Sequence, residues 1–230
     1  MKTKRANGRV LVTSGPTRAP IDRVRYIANT SSGALGARIV EALVSRGAGV
    51  KLIIGEGAER PAVPEGGQLE IIPIATIEDL VEQVRSAAAD GDIRAVVHAM
   101  AVLDYVPERG LDEKHPSDSP FWDIRLVRTP KVTALIRELM PDACTVGFKL
   151  EAGVSGEELV RRALASLRKH RLHLVVANDL DRVGPESHEA IFIDSGGVII
   201  GRASTKREIA DAVAEFIFER SDILSTTRHP

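Results

Sequence analysis

Short apolar runs alternate with amphipathic segments along most of this chain. Residues 10–13, Val-Leu-Val-Thr, form an uninterrupted run typical of a buried strand. In residues 33–46 the apolar side chains recur at the spacing of a helix that ends at Gly47. The same alternation continues through the chain. It predicts an α/β fold with a doubly wound, mostly parallel sheet and helices on both faces, in a Rossmann-like arrangement.

The remaining predicted elements follow from the same periodicities and from turn and capping residues. Further strands are predicted at 50–54, 69–72, 95–102, 122–127, 145–148 and 174–177. A hairpin with strands at 190–193 and 197–200 is indicated by Ser195-Gly196 between them. Helices are predicted to begin at residues able to act as N-caps: Thr76, Thr129 with Pro130 in the first helical position, Ser155 and Thr205.

Residues 106–120 break this regular alternation. The segment contains three prolines among many charged side chains, so it can bury little apolar surface. This composition predicts a mobile flap, which leads into the predicted strand at 122–127. The whole chain, 1–230, is expected to form one domain, with the flap and a small β-hairpin as extensions.

Composition and charge exclude several classes of function. The 230 residues carry 31 Lys and Arg against 32 Asp and Glu, a formal net charge of −1, whereas binding to nucleic acid or to a membrane surface favours a basic excess. Aromatic residues make up only 3%, too few for base-stacking platforms. A single cysteine, Cys144, rules out an internal disulfide or a multi-cysteine metal cluster. The chain shows neither the apolar run of a signal peptide nor a membrane span, so the cytoplasm is the expected compartment.

The loop after the first predicted strand could bind an anion. In a parallel sheet, ligands lie beyond the carboxyl ends of the strands, near the point where the strand order reverses. Gly15 begins this loop, and Ser31, Ser32 and Gly33 come directly before the predicted helix, whose free N–H groups attract phosphate. Three arginines in the loop favour anion binding, although an ordinary N-cap turn also explains Ser-Ser-Gly. No G-x-G-x-x-G or G-x-x-x-x-G-K-[ST] sequence occurs.

Other predicted strand ends also carry polar residues. Asp104 could accept hydrogen bonds from a ribose, or be an ordinary loop aspartate. Gly147-Phe148-Lys149 suits a nucleobase and its phosphates, although a phenylalanine alone is more often a core residue. Asn178-Asp179 follows a fourth strand, where turn chemistry is an equal explanation. His98 lies in an apolar run and is interpreted as a buried core histidine, and no paired-histidine metal motif occurs.

Five stretches that include these loops occur together, in one order, across essentially the whole chain. They are S-G-P-T-R-A-P-I-D-R-V-R-Y-I-A-N-T-S-S-G-A-L-G, A-M-A-V-L-D-Y-V-P, R-T-P-K-V, V-G-F-K-L-E and V-V-A-N-D-L. Together they resemble phosphopantothenoylcysteine synthetase, also called phosphopantothenate–cysteine ligase. The first stretch is highly specific, whereas the others are weak alone. The chain resembles the stand-alone form, since no flavin-binding decarboxylase half precedes it.

The resemblance implies a two-step ligation in coenzyme A biosynthesis. A nucleoside triphosphate, usually CTP, activates the carboxylate of 4′-phosphopantothenate as an acyl-nucleotidylate and releases pyrophosphate. The cysteine amine then displaces CMP and forms the amide. The implied cofactor is Mg²⁺, held mainly by the triphosphate rather than by protein ligands. The implied partners are these small molecules and a second copy of the chain in a homodimer, which the apolar-edged segments 121–127 and 190–200 also favour.

Matching positions also imply roles for individual residues. Asn29 and Lys114 correspond to catalytic residues, the second of them on the mobile flap. Substrate binding is implied for Arg25, Asn29 and Ala101. Nucleotide binding is implied for a larger set: Gly15, Ser31, Ser32, Gly33, Ala99, Met100, Asp104, Thr129, Pro130, Lys131, Val132, Phe148 and Lys169.

The sequence departs from the family pattern at three points. Lys114 is followed by His115-Pro116, which makes the shape of the flap uncertain from sequence. A second helix lysine is replaced by Ala165, and Arg161 or Arg162 could supply the missing cation. His98 stands where a small residue is common.

Two other functions compete with the ligase. A nicotinamide-dependent reductase would need a full glycine fingerprint and a Tyr-x-x-x-Lys pair, whereas Tyr26 and Tyr105 are followed at that spacing by Thr30 and Arg109. A nucleotide-binding module without catalysis is opposed by the two implied catalytic residues. The sequence leaves the choice between CTP and ATP open.

Overall fold

One eight-stranded sheet organises the part of the chain that the computed structural model describes, residues 8–184 and 187–220. The elements in chain order are β1 (Arg9–Ser14), β2 (Arg18–Pro20), β3 (Tyr26–Ala28), α1 (Ala34–Ser45), β4 (Gly49–Gly55), β5 (Leu69–Ile74), α2 (Ile77–Asp90), β6 (Ile93–His98), β7 (Tyr105–Pro107), β8 (Leu126–Arg128), α3 (Val132–Leu139), β9 (Cys144–Glu151), α4 (Gly156–His170), β10 (Leu174–Asp179), a 3-10 turn (Leu180–Arg182), β11 (Ala190–Asp194), β12 (Ile199–Ala203) and α5 (Lys206–Arg220). The predicted single domain over 1–230 includes residues outside the described ranges and stays a prediction.

The strand order reverses at the centre of this sheet. The order is β5-β4-β1-β6-β9-β10-β11-β12, and β1 pairs in parallel with β4 on one side and β6 on the other. The first six strands in this order, up to and including β10, are parallel to their neighbours. Strand β11 runs antiparallel to β10, and β12 runs antiparallel to β11. The predicted doubly wound, Rossmann-like fold is confirmed. A reversal of this kind opens a crevice beyond the carboxyl ends of the strands.

Helices cover both faces of the sheet. Helices α1 and α5 pack on one face, where the alternate residues Val10 and Val12 of β1 also point. Helices α2 and α3 pack on the opposite face with Leu11, and α4 covers the same face farther along, over β10 and β11. A parallel strand buried on both sides needs apolar residues at successive positions, which is why β1 is one continuous apolar run. Within the described residues, no helix is long and apolar enough to cross a membrane.

Three of the four predicted N-caps are confirmed. Thr76 and Asp79 form a reciprocal capping box at α2, and the hydroxyls of Ser155 and Thr205 accept the N–H groups of Glu158 and Glu208. The prediction for α3 is wrong, because that helix begins at Val132.

The Thr129 hydroxyl donates instead to the carbonyl oxygen of Leu103 at 2.7 Å. The Thr129 N–H donates to the carbonyl oxygen of Asp104 at 3.0 Å. Thr129 therefore ties the end of β8 to the loop after β6, three residues before α3 begins.

Several predicted strand bounds change in the structure. The strand predicted at 95–102 ends at His98, because pairing with β1 stops there and Ala101 makes only an isolated bridge to Pro16. Of the strand predicted at 122–127, only the last two residues lie in β8, since residues 122–125 have no partner strand. The predicted C-terminal hairpin forms as β11 and β12, with the second strand starting at Ile199.

Two short antiparallel pairs stand outside the main sheet. Strand β2 pairs with β3, and β7 pairs with β8. The flap predicted at 106–120 corresponds to the loop between β7 and β8, residues 108–125. Its first two predicted residues, 106 and 107, belong to β7 instead. A hydrogen bond of 2.9 Å from the Glu108 N–H to the Arg125 carbonyl oxygen closes its base. We call residues 108–125 the flap below.

Candidate active site

The loop between β1 and α1 folds back onto the carboxyl end of β1. The Ser14 hydroxyl donates to the Gly33 carbonyl oxygen at 3.1 Å, and a Cβ atom on Gly36 would lie 2.0 Å from the same hydroxyl oxygen. Gly33, at the N-cap position, has a φ of 75°. Gly33 has no side chain to cap α1, the first turn contains no acidic residue, and the Ser32 hydroxyl accepts the Ala34 N–H at 3.3 Å. The first turn of α1 therefore has N–H groups left for an anion, and anion binding by Ser31, Ser32 and Gly33 stays a prediction.

Asn29 joins this loop to the loop that follows β6. Its Nδ2 atom donates to the carbonyl oxygens of Ala101 at 3.3 Å and Val102 at 3.2 Å. No described residue donates a hydrogen bond to its Oδ1 atom. Asn29 and Ala101, both predicted to bind substrate, therefore meet, and Oδ1 of Asn29 is left as an acceptor.

A cavity of about 260 Å³ opens beside these loops, between the ends of β6 and β9 and the helices α3 and α4. Val102, which accepts a hydrogen bond from Asn29, lines it. So do six residues of the predicted nucleotide site: Met100, Asp104, Pro130, Lys131, Val132 and Phe148. The other lining residues are His98, Thr133, Gly147, Lys149, Ser166, His170 and Leu172. The fold thus gathers much of the predicted site around one cavity.

Gly147, in the fourth motif V-G-F-K-L-E, shapes this cavity. A Cβ atom on Gly147 would lie 2.6 Å from the Cδ1 atom of Leu172. Glycine at this position therefore leaves room for a leucine on the cavity wall.

Asp104 and Lys131 form a close ion pair at the cavity. Both side chains are exposed, by 62% and 39% respectively. An exposed pair of this kind contributes only about 0–1 kcal/mol to stability. A ligand that brings hydroxyl groups to the carboxylate and anionic oxygens to the ammonium can therefore replace the pair at little cost.

Lys149 brings a second cation to the cavity and is held by Glu151 at 2.7 Å. Glu151 also accepts Arg162 at 2.5 Å. Burial would raise the pKa of Glu151, but the hydrogen bonds from Lys149 and Arg162 outweigh burial and hold the pKa below its usual value. Arg161 and Arg162 both bind Glu158, and neither lines the cavity, so replacement of the lysine expected at Ala165 by one of them stays a prediction.

Helix α4 contributes residues that the sequence did not indicate. Ser166 and His170, four residues apart and therefore on one helix face, line the cavity, whereas the predicted Lys169 is exposed and does not. Burial lowers the pKa of His170, and the charges of Lys169 and Lys131 lower it further. The spacing from the buried Leu167 could have indicated that Ser166 and His170 lie on the inner side of α4. The sequence could not have shown that this side of the helix borders the cavity.

Two further predicted nucleotide residues hold loops instead of lining the cavity. The Ala99 N–H donates to the Thr13 carbonyl oxygen at 3.0 Å and continues the β1–β6 contact by one residue. Thr129 makes the two loop contacts described above. Their predicted contacts with nucleotide stay predictions, as does that of Gly15, which has a φ of 82° in the loop after β1.

His98 differs from the core residue that the sequence suggested. It is only partly buried, and it lines the cavity. Its Nδ1 atom lies 2.7 Å from the Oγ1 atom of Thr13. Burial lowers the pKa of His98 to about 4, and the nearby His170 lowers it in the same direction. The interpretation of His98 as a core histidine is therefore wrong, and its imidazole is neutral at pH 7.

Four residues fasten the flap to the turn between β2 and β3, and we call them the clasp: Asp22, Arg25, His115 and Trp122. The Arg25 guanidinium donates to the Asp22 carboxylate at 2.5 and 2.9 Å and to the His115 carbonyl oxygen at 2.8 Å. It lies 4.7 Å from the centre of the Trp122 ring, which stacks on His115 at a centroid distance of 4.1 Å. Arg25, predicted to bind substrate, is thus committed to the flap in this structure.

Asp22 is the buried centre of the clasp, with a side chain that is 0% exposed. The hydrogen bond from Arg25 holds the pKa of Asp22 far below its usual value. The backbone N–H groups of Val24, Arg25 and His115 also donate to this carboxylate, at 2.9, 2.8 and 3.1 Å. Asp22 therefore stays ionised and binds both the turn and the flap. Lys114, the predicted catalytic lysine, directly precedes His115 and is exposed, with no ion pair to any described residue.

The geometry can now be set beside known proteins. The family model for the DNA/pantothenate metabolism flavoprotein C-terminal domain matches residues 5–220. The chain belongs to this family. The loops that carry Asn29, Asp104 and the flap all lie inside the matched range, so the site described above is part of the family domain.

Two relatives contain this domain as about half of a longer chain. The bifunctional coenzyme A biosynthesis protein CoaBC of Thermococcus kodakarensis is 37% identical over 203 residues, which cover 88% of this chain and 49% of that protein. CoaBC of Methanocaldococcus jannaschii is 29% identical, with 92% and 51% covered. The chain therefore spans about half the length of these relatives. A crystal structure of the DNA/pantothenate metabolism flavoprotein from Streptococcus pneumoniae superposes with a TM-score of 0.83 at 32% identity, covering 92% of this chain and 99% of that one.

Proposed function

We propose that this chain joins 4′-phosphopantothenate to cysteine through an acyl-nucleotidylate, as a phosphopantothenate–cysteine ligase of coenzyme A biosynthesis. Its membership of the family supports this proposal, and so do the names of relatives that act in coenzyme A biosynthesis. The resemblance of its five motifs to phosphopantothenoylcysteine synthetase supports the same reaction.

The observation that carries the proposal is the contact of Asn29 with the carbonyl oxygens of Ala101 and Val102. It fixes the loop before α1, with its open helix start, against the loop that borders the cavity. An acyl group held at Asn29 would then lie between an anion site and a nucleotide site. Such an arrangement brings a carboxylate and an α-phosphorus together, which is what the first step requires.

In the proposed first step, a carboxylate oxygen of 4′-phosphopantothenate attacks the α-phosphorus of the nucleotide. An O–P bond forms, the bond to the β-phosphate oxygen breaks, and pyrophosphate leaves. Negative charge builds up around the reacting phosphorus. Lys131 and Lys149 line the cavity, and they and the open N–H groups of α1 are placed to offset that charge.

Magnesium enters this proposal with the nucleotide. Within residues 8–184 and 187–220, no three His, Cys, Asp or Glu side chains converge as metal ligands. Mg²⁺ commonly stays bound to phosphate oxygens and water rather than to a full set of protein ligands. The substrate is therefore proposed to be the Mg²⁺ complex of the triphosphate, with CTP preferred over ATP.

In the proposed second step, the cysteine amine attacks the acyl carbon. The C–N bond forms, the C–O bond to the phosphoryl group breaks, and the nucleoside monophosphate leaves as the amine loses a proton. The open Oδ1 atom of Asn29 is suited to accept a hydrogen bond from the incoming amine. Lys114, carried by the flap, is proposed to close over the reacting centre, neutralise its charge and exclude water from the intermediate.

Two further features belong to the proposal. We place the protein in the cytoplasm, and we propose that it is a homodimer. Val198, Ile199 and Ile200 are exposed at β12, the edge strand of the sheet, and Phe121 is exposed on the flap. Sedimentation analysis of the wild-type protein and of Ile200→Glu tests the dimer. Unchanged association in the variant would remove the β12 edge from the interface.

A pyrophosphate-release assay tests the ligase. The protein is incubated with 4′-phosphopantothenate, Mg²⁺ and each of the four ribonucleoside triphosphates, with and without cysteine, and unphosphorylated pantothenate serves as the control. We expect release with CTP above the other nucleotides, and amide product only when cysteine is present. Nucleotide binding without release would indicate a non-catalytic module, and oxidation of NADH or NADPH in its place would indicate a reductase.

A further inference from the structure

The imidazole of His98 has one nitrogen that is fixed and one that is open. Nδ1 is held at 2.7 Å from Thr13 Oγ1. No described residue makes a hydrogen bond to Nε2. In the described residues, the fully buried side-chain atoms without a hydrogen-bond partner are Arg137 Nε and His188 Nδ1. Nε2 of His98 is not one of them, so this unpaired nitrogen is accessible. Since His98 lines the cavity, Nε2 is the ring nitrogen that faces it.

The Thr13 contact decides which nitrogen carries the proton. The side chain of Thr13 is completely buried, and among the described residues the only acceptor bonded to its hydroxyl is Nδ1 of His98. A buried hydroxyl whose hydrogen meets no acceptor costs free energy, so the hydroxyl donates to Nδ1. The proton of the neutral ring then lies on Nε2, which becomes a donor directed into the cavity.

The surroundings of His98 suit a flat heterocycle. Met100 and Leu172 give the cavity apolar walls, and Ser166 and His170 add polar groups that bond to no described residue. The charged and exposed pair Asp104 and Lys131 suits a ribose and phosphates. The cavity therefore combines these two apolar side chains with several polar groups that could fix the orientation of a small ligand.

We propose that His98 is a specificity-determining residue of the nucleotide site, whose Nε2–H donates to an acceptor atom on the edge of the nucleobase. The inference rests on the proposed function, because the cavity must hold the nucleotide. Cytosine presents two adjacent acceptors, O2 and N3, whereas N3 of uracil carries a hydrogen. Both bases accept at O2, so the proposed partner of Nε2–H is N3, where cytosine accepts and uracil donates, and a fixed donor there favours cytosine over uracil.

Calorimetric titration with CTP, UTP and inorganic tripolyphosphate tests this inference. In His98→Ala, the ratio of the CTP and UTP dissociation constants should move toward one by about threefold to tenfold, the range expected for one lost hydrogen bond. Binding of tripolyphosphate, which has no base, should not change. His173→Ala is the matched control, since His173 binds the Thr145 N–H at 3.0 Å and does not line the cavity.

Thr13→Val tests the same inference without removing the imidazole. The valine leaves Nδ1 free, so the ring can place its proton there and present Nε2 as an acceptor. The preference for CTP should then fall in favour of UTP, whose N3–H can donate, while tripolyphosphate binding stays unchanged.

The possible failures are distinguishable. A His98→Ala protein with the wild-type CTP-to-UTP ratio, or with equal losses for nucleotides and tripolyphosphate, overturns the role of His98 in specificity. Wild-type protein that binds ATP but neither pyrimidine nucleotide overturns it as well. A wild-type protein that binds no nucleotide at all overturns the proposed function, and the inference falls with it.

Discussion

The cavity and the flap are built in opposite ways. The cavity is lined by the ends of β6 and β9 and by α3 and α4, elements that also form the buried core. The flap has only the short strands β7 and β8 at its base. Three sets of contacts hold it: the clasp, a hydrogen bond from the Leu111 N–H to the Ile21 carbonyl oxygen at 3.0 Å, and the hydrogen bond of Glu108 at its base. Local opening costs least where few apolar contacts are broken, so we expect the flap to open without disturbing the cavity.

This difference separates binding from chemistry. Residues on the rigid side, such as Asp104 and His98, should set the nucleotide dissociation constant whether the flap is open or closed. Lys114 and the clasp should set the rate of the reaction with little effect on nucleotide binding. Variants on the two sides can therefore confirm or break the comparison, because each side has its own measurable constant.

The largest effect is expected at Asn29, which belongs to neither side and lies in the loop between β3 and α1. Asn29→Asp keeps the shape of the side chain but replaces the donor to the Ala101 and Val102 carbonyl oxygens with a carboxylate oxygen, which those oxygens repel. Amide formation should fall by about 10²-fold or more, the scale for losing one preorganised group. If the second step suffers more than the first, the acyl-nucleotidylate accumulates and mass spectrometry detects it.

Nucleotide affinity is the internal control for Asn29→Asp. The proposed contacts to the nucleotide lie on other loops, so its dissociation constant should stay near the wild-type value. Near-normal turnover would remove Asn29 from the catalytic residues, and a large loss of nucleotide affinity would show that the two loops act as one binding unit.

A smaller effect is expected from Asp104→Ala. A hydrogen bond from a ribose to a charged acceptor contributes about 1.5–3 kcal/mol, so the nucleotide dissociation constant should rise roughly tenfold or more. Release of Lys131 from its ion pair works against this loss, since the freed ammonium can bind phosphate. Asp118→Ala on the flap, an exposed aspartate that makes no hydrogen bond to any described residue, is the control. Weaker phosphopantothenate binding with unchanged nucleotide binding would assign Asp104 to the other substrate.

Trp122→Ala tests the flap side of the comparison. The stack with His115 contributes about 0.5–1.5 kcal/mol beyond its buried area, so the open flap should become about twofold to tenfold more populated. Limited proteolysis between residues 108 and 125 should accelerate to the same extent, and bound CTP should slow it. Trp122→Phe keeps a ring and should restore most of the protection. Equal cleavage of all three proteins would show that the clasp does not hold the flap.

The sequence predicted one side of this comparison better than the other. The strand ends and six cavity residues followed from local patterns and from the family motifs, because parallel strands place their carboxyl ends at one edge. The clasp was not predicted, since Arg25 and His115 are 90 positions apart and neither shows a pattern that points to the other. His98 was misassigned because apolar neighbours surround it in sequence, whereas its ring faces a cavity that only the folded chain creates.

The smallest predicted effect is a pH dependence of stability that comes from His98. In the folded protein its pKa is about 4, against 6.5 for the ordinary side chain. Above pH 6.5 both the folded and the unfolded chain carry a neutral ring, so His98 adds no pH dependence there. Between pH 6.5 and 4 the unfolded chain takes up a proton that the folded chain excludes, so the free energy of unfolding falls as the pH falls.

Thermal unfolding at pH 7.5 and pH 5.0 measures this dependence in the wild type and in His98→Gln. The glutamine cannot titrate, so the variant should lose less stability between the two values, and about 1 kcal/mol would appear as about 2–4 °C in a chain of this size. Burial also lowers the pKa values of His173 and His188, which contribute equally to both proteins and cancel in the comparison, whereas His170 interacts with His98 and does not cancel fully. An identical loss in both proteins would mean that His98 titrates near its ordinary pKa, and that its ring is charged in part at pH 6.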